Sequence, residues 1–204
     1  MEKQARNIES NKNAVFKNIG STNHCNHQRV DKDFYATEPK AVELLLESEH
    51  FSHKVWECAS GENHIADVLK AHGYSVRTSD IVQRTPTTEE YDFLGMEISE
   101  WDGDIITNPP YSCALEFVER ALQSVGIGHK VAMFLRLLFL EGKTRKEFFE
   151  RNPPKVVYVA SGRLQCIPGG DYLNMNINGS SAIAYAWFVW EKGFKGEPII
   201  RWIN

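Results

Sequence analysis

Short apolar runs alternate along this chain with segments whose apolar residues recur at helical spacing. Ala41, Val42, Leu44, Leu45 and Leu46 give one face of a helix that Glu38-Pro39 opens, with Thr37 placed as its N-cap. A buried strand is predicted over residues 55–59. A helix bearing Ile65, Ala66, Val68 and Leu69 follows, and Gly73 closes it. Residues 74–80 read as a second strand ending on an acid. Weaker strand signals lie at residues 91–94 and 104–107. A helix over about residues 113–125 buries Leu115, Phe117, Val118, Ala121 and Leu122. Further strands are predicted at residues 130–135, 155–160 and 181–190, with a helix over 144–149 stopped by Pro153-Pro154.

Strand, glycine-containing loop, helix and strand make a βαβ unit. Its repetition predicts an α/β fold: an open, mostly parallel sheet of about seven strands, helices on both faces, and the last long strand antiparallel. Residues 1–30, rich in Asn, Lys and Ser, read as a flexible arm, and residues 31–204 as a single domain. Residues 162–180 hold several Gly and Asn with little apolar pattern and read as a long functional loop. In such sheets ligands bind beyond the carboxyl ends of the strands. Glu57, Asp80, Asp92 and Asn108 should therefore converge on one edge.

An apolar fraction of 42% and a charged fraction of 25% are those of an ordinary globular protein. The longest apolar run, residues 131–139, is broken by Arg136 and is too short to span a membrane. The N-terminus lacks the apolar core of a signal peptide, so a cytoplasmic location is expected, with no membrane partner. Cys25, Cys58, Cys113 and Cys166 are widely spaced, which predicts neither a zinc ribbon nor a disulfide framework. His24-Cys25-Asn26-His27 offers adjacent ligands that rarely converge on one ion, and no metal is expected. The net charge is −4, but it is unevenly spread. Residues 1–128 hold 12 basic and 21 acidic residues, and residues 129–204 hold 11 and 6. The basic half, with Lys143, Arg145, Lys146, Arg151 and Arg163, either supplies phosphate contacts or is a solvated helix face.

Candidate chemistry centres on residues 104–111, Asp-Ile-Ile-Thr-Asn-Pro-Pro-Tyr. Two prolines fix φ, remove two backbone donors and hold Asn108 extended. An amide oxygen, the carbonyls of Pro109 and Pro110, and the Tyr111 ring suit a planar group bearing an NH2, such as a nucleobase amine. The same residues also serve as a plain turn and helix start. The loop after the first long strand has neither Gly-x-Gly-x-x-Gly nor a P-loop ending, so it is not a phosphate cradle. Glu57 is placed to take an ammonium, the following helix N-terminus a carboxylate, and Asp80 two ribose hydroxyls. An amino acid joined to a nucleoside describes S-adenosylmethionine.

Residues 56–65, Ser79-Asp80-Ile81 and Asn108-Pro109-Pro110-Tyr111 resemble the motifs of DNA adenine-N6 methyltransferases, and residues 33–39 resemble that family's N-terminal cofactor motif. The similarity is greatest to small phage and prophage methyltransferases. It extends to residues 182–193, 139–142 and the Ile19-Gly20 and Asn23-His24 fragments. The resemblance implies methyl transfer from S-adenosylmethionine to the N6 amine of a flipped-out adenine in DNA. It makes Asn108, Pro109, Pro110 and Tyr111 catalytic. Tyr35 and Thr37 would hold the methionine end of the cofactor, and Asp92 and Phe93 would meet its adenine. Glu57, Ala59, Gly61, Asp80 and Ile81 complete the cofactor set. Asn63 departs from the family, which usually carries a second glycine there. Tyr35 also reads as packing under the first helix, and Asp92 as ordinary turn chemistry. Adenine in RNA, a glutamine side chain, and a non-catalytic nucleic-acid-binding regulator are the rival readings.

Overall fold

A computed structural model describes residues 35–95, 97, 100–168 and 183–204. The predicted arm, the His24–His27 cluster and positions 169–180 of the predicted loop lie outside these residues. The elements are β1 (Tyr35–Thr37), α1 (Pro39–Ser48), β2 (Lys54–Glu57), α2 (His64–Ala71), β3 (Ser75–Asp80), β4 (Glu89–Glu90), β5 (Asp104–Thr107), α3 (Ala114–Ser124), β6 (Lys130–Arg136), α4 (Lys143–Arg151), β7 (Val156–Ala160), β8 (Cys166–Pro168), β9 (Tyr185–Glu191) and β10 (Ile199–Ile203). Eight strands form one sheet in the order β10-β7-β9-β6-β5-β2-β3-β4. All are parallel except β9, which runs antiparallel between β6 and β7. No described helix is long and apolar enough to cross a membrane.

The two faces follow from the two-residue period of the strands. On β6, Val131, Met133 and Leu135 join Trp56, Ile105, Phe188 and Trp190 beneath α3. Ala132 and Phe134 face the other way, with Val55, Ile106 and Trp187, against α1 and α2. A strand buried on both faces reads as a continuous apolar run, which is why β5, β6 and β9 carry no alternation in sequence. Each of three buried indoles has a hydrogen-bond acceptor for its N–H. Trp56 donates to Ser79 Oγ at 2.8 Å, Trp187 to the Ala41 carbonyl at 2.7 Å, and Trp190 to the Asn152 carbonyl at 3.1 Å.

Several expectations are corrected. The sheet has eight strands rather than seven: β10 pairs in parallel with β7. Its Ile199, Ile200 and Trp202 are exposed, so no burial pattern marked it as a strand. Residues 91–94 are not a strand; pairing stops at Glu90, and Asp92 turns the chain. Glu38, not Thr37, is the N-cap of α1, and it makes no side-chain capping bond. Its carboxylate instead accepts from Gln165 N at 2.6 Å. Thr37 lies in β1, which pairs antiparallel with β8 as a separate two-stranded ribbon.

Candidate active site

Because the sheet is parallel around β5, the carboxyl ends of β2, β3, β5 and β6 share one edge, bringing Glu57, Asp80, Asn108 and Arg136 to it. Asn108 follows β5 directly. Its Nδ2 lies 3.2 Å from the Tyr35 carbonyl, 3.0 Å from Thr37 Oγ1 and 3.6 Å from Cys166 Sγ. The Tyr35 carbonyl accepts only, so the amide atom facing it must be the NH2. This fixes the orientation of the amide. Oδ1 points away from the ribbon, enclosed and without a hydrogen-bond partner among the described residues. An unmet buried acceptor costs about 1–3 kcal/mol. The Pro110 carbonyl is taken by Cys113 N at 3.0 Å, which leaves the Pro109 carbonyl as the acceptor to pair with Oδ1.

Tyr111 opens a 3-10 turn over Tyr111–Cys113. Its ring packs on Tyr35 at 5.4 Å and on Tyr185 at 5.7 Å, and the Arg136 guanidinium sits 4.6 Å from its centroid. Its hydroxyl lies 3.0 Å from Cys166 Sγ. Burial holds the Tyr111 phenol well above its ordinary pKa, and pushes the Cys166 thiol and the Tyr185 phenol each up to about 12. These three groups are neutral proton carriers at physiological pH.

A second group gathers at the ends of β2 and β3. Residues 60–63 make a tight turn, with Gly61 at φ 52° and Asn63 at φ 70°. Gly61 N donates to Asp80 Oδ2 at 2.8 Å, joining the turn to the end of β3. Asp80 Oδ1 accepts from Val82 N at 3.0 Å and from Arg84 Nη1 at 3.2 Å. Ile81, beside it, is 38% exposed although apolar. Glu57 is buried, and its Oε2 accepts from Ala66 N at 2.8 Å in the first turn of α2. Burial raises its pKa well above the ordinary value; the Ala66 N–H opposes this and the Asp80 charge adds to it. Ala59 is half-buried against the core.

The two residues assigned to an adenine ring sit differently. Phe93 is buried, edge-on to Trp56 at 5.2 Å and stacked on Phe117 at 5.2 Å. Asp92 Oδ1 accepts from Leu94 N at 3.0 Å and Gly95 N at 2.9 Å, an Asx turn. Along the basic helix, Arg145 folds back onto the Glu141 carbonyl and the Phe139 ring, and Lys146 pairs with Glu150 at 3.5 Å. Arg136, Cys166 and Tyr185 are the site residues that sequence reasoning missed. Only Arg136 left a signal, as the charge that interrupts an apolar run at a strand end.

No protein-family pattern matches the chain, and no curated protein matches it. Solved structures do. A protein from Agrobacterium tumefaciens described as a predicted O-methyltransferase aligns with a TM-score of 0.58 at 10% identity, covering 81% of this chain and 85% of that one. A modification subunit assigned to a type I restriction enzyme of Vibrio vulnificus gives 0.57 at 12%, covering 99% of this chain and 51% of that one. A protein from Listeria monocytogenes assigned as a class I S-adenosylmethionine-dependent methyltransferase gives 0.52 at 11%, covering 95% and 71%. The chain shares the fold of these proteins, a mostly parallel sheet with helices on both faces. This chain spans about half the length of the Vibrio subunit.

Within that fold the predicted residues form two clusters. Asn108, Tyr111, Tyr35 and Thr37 meet around the proline turn. Gly61 and Asp80 meet at the glycine turn. Among the described residues no group of three or more His, Cys, Asp or Glu is arranged to hold a metal.

Proposed function

We propose that this protein transfers a methyl group from S-adenosylmethionine to the exocyclic N6 amine of a flipped-out adenine in DNA. The observation that carries the reading is the Asn108 amide, whose NH2 is held by Tyr35 and Thr37 while Oδ1 has no partner among the described residues. An incoming NH2 group supplies the missing donor. Asn108 Oδ1 and the Pro109 carbonyl accept its two hydrogens, which localises a nitrogen lone pair otherwise delocalised into the purine ring. Stabilisation of this kind acts through fixed dipoles in a dry site. Oδ1 is enclosed, so the walls of the pocket part to admit a base.

The glycine turn and Asp80 fit an amino acid joined to a nucleoside. The turn presents the N-terminus of α2 to a carboxylate. Asp80 offers a carboxylate at a strand end, and Ile81 offers an apolar surface to a ring. With three hydrogen bonds already on Asp80, ribose hydroxyls share it or displace Arg84. The bound cofactor supplies the electrophilic methyl. The chain's own residues bind, orient and exclude water. The demethylated cofactor would leave as a neutral thioether and the methylated amine would release its surplus proton to water, so no residue is required as a strong base, in keeping with the neutral phenols and thiol around Asn108.

DNA is favoured over other NH2 donors by the motif resemblance and by the modification subunit among the structures sharing the fold. The test is transfer of labelled methyl from S-adenosylmethionine to DNA, RNA and protein, with nucleoside analysis of the product. The expected result is N6-methyladenine in DNA, lost in Asn108→Ala, whose fold and cofactor binding remain. Transfer to RNA or protein alone would overturn the substrate assignment. Near-normal transfer by the alanine variant would remove Asn108 from the chemistry.

A further inference from the structure

We infer that Asn63 is a latch, a positioning residue that clamps the loop after β3 onto the glycine turn and so sets the affinity of the cofactor pocket. This rests on the methyltransferase reading above. Asn63 is the one non-glycine residue at positive φ among the described residues, at 70°, and is buried. A non-glycine residue in the left-handed region carries a backbone cost, smallest for Asn and Asp. Backbone alone gives no reason to prefer Asn, because glycine takes the same φ freely.

The side chain gives the reason. Nδ2 donates to Thr85 Oγ1 at 2.7 Å and to Thr87 Oγ1 at 3.1 Å, and Oδ1 accepts from Thr88 Oγ1 at 3.1 Å. Both hydrogens and the oxygen of the amide are thereby engaged. The threonines bond among themselves, Thr85 to Thr88 at 2.8 Å and Thr85 to Thr87 at 3.2 Å, and Thr88 reaches Ser60 Oγ at 3.3 Å. The network closes a ring between residues 60–63 and residues 85–88.

Its position matters. The glycine turn faces the amino-acid end of the proposed cofactor, and Asp80-Ile81, which opens the loop, faces the nucleoside end. Asn63 ties together the two segments that must hold one ligand. Fixing them before binding removes an ordering cost from the binding step. The glycine that the motif resemblance leads one to expect here would leave the loop free and three threonine hydroxyls without the amide.

The experiment compares the chain with Asn63→Gly, which is compatible with the same backbone conformation and deletes the side chain that carries the amide. S-adenosylhomocysteine binding is measured by calorimetry, and amide hydrogen exchange is followed over residues 82–88. The variant should bind about tenfold more weakly, keep kcat at saturating cofactor within about twofold, and exchange faster at Thr87 and Thr88. A Thr85→Val/Thr87→Val variant should reproduce the loss, and adding Asn63→Gly to it should weaken binding little further. Equal or tighter binding by Asn63→Gly, or unchanged exchange, overturns the latch while the methyltransferase reading stands. Failure of the wild-type chain to bind S-adenosylhomocysteine overturns that reading, and the latch with it.

Discussion

The side-chain nitrogen of Asn108 lies 3.0 Å from the hydroxyl oxygen of Thr37, a residue 71 positions earlier in the chain. The contact places a strand outside the main sheet behind the proposed catalytic amide. The motif resemblance assigns Thr37 to the cofactor; the geometry gives it a second task, that of orienting Asn108.

The two tasks separate kinetically. In Thr37→Val, the shape is kept and the acceptor is lost. If Thr37 acts through Asn108, kcat falls about tenfold or more while the cofactor Kd stays within about twofold. Thr37→Ser recovers most of the rate. A rise in cofactor Kd at unchanged kcat assigns Thr37 to the ligand alone.

Around Asn108, burial keeps Tyr111, Cys166 and Tyr185 protonated. None of the three titrates near neutrality. The rate of the chemical step should therefore be flat between about pH 6 and 9. A bell-shaped single-turnover profile in that window would mean that another group passes a proton during transfer.

Glu57 is expected to weaken the fold in exchange for its site. Burial raises its carboxyl pKa well above 4.5, so the folded chain retains a proton that the unfolded chain releases near that pH. The stability gained is complete below that value and is lost as pH rises toward the folded-state pKa. Glu57→Gln should raise the melting temperature at neutral pH, with the gain vanishing below about pH 4.5. If Glu57 receives the cofactor ammonium, the same variant binds cofactor more weakly. Thermal melts across pH, paired with calorimetry, read both effects.

Phe93 stacks on Phe117 and meets Trp56 edge-on within the core. Phe93→Ala should cost about 3–5 kcal/mol in denaturant unfolding, the range for large aromatic truncations. A small loss of stability with a large loss of cofactor affinity would return Phe93 to the pocket wall.

Much of the central sheet was legible in the sequence. β2, β3, β5 and β6 end at or one residue before Glu57, Asp80, Asn108 and Arg136, and strand-end polar residues on a parallel sheet must share an edge. The proline turn was legible because proline restricts the backbone locally. The surroundings of Asn108 were not. Cys166 and Tyr185 reach Tyr111 only through pairings between distant segments, β1 with β8 and β6 with β9, and no local pattern encodes a partner so far away. Strand β10 escaped notice for a different reason. Ile199, Ile200 and Trp202 are exposed on an edge strand, so neither alternation nor a buried run marks them.

The antiparallel strand β9 also bears on synthesis. It hydrogen-bonds β6 on one side and β7 on the other, and its residues from Tyr185 to Trp190 are all buried. Until Glu191 has left the ribosome, β6 and β7 present two edges of unpaired backbone N–H and C=O groups with nothing between them. Tyr35 and the proline turn are translated early, but Tyr185, the second ring against Tyr111, arrives with the strand that seals the sheet. A nascent chain halted before that strand carries the proline turn and lacks the Tyr185 side of its surroundings.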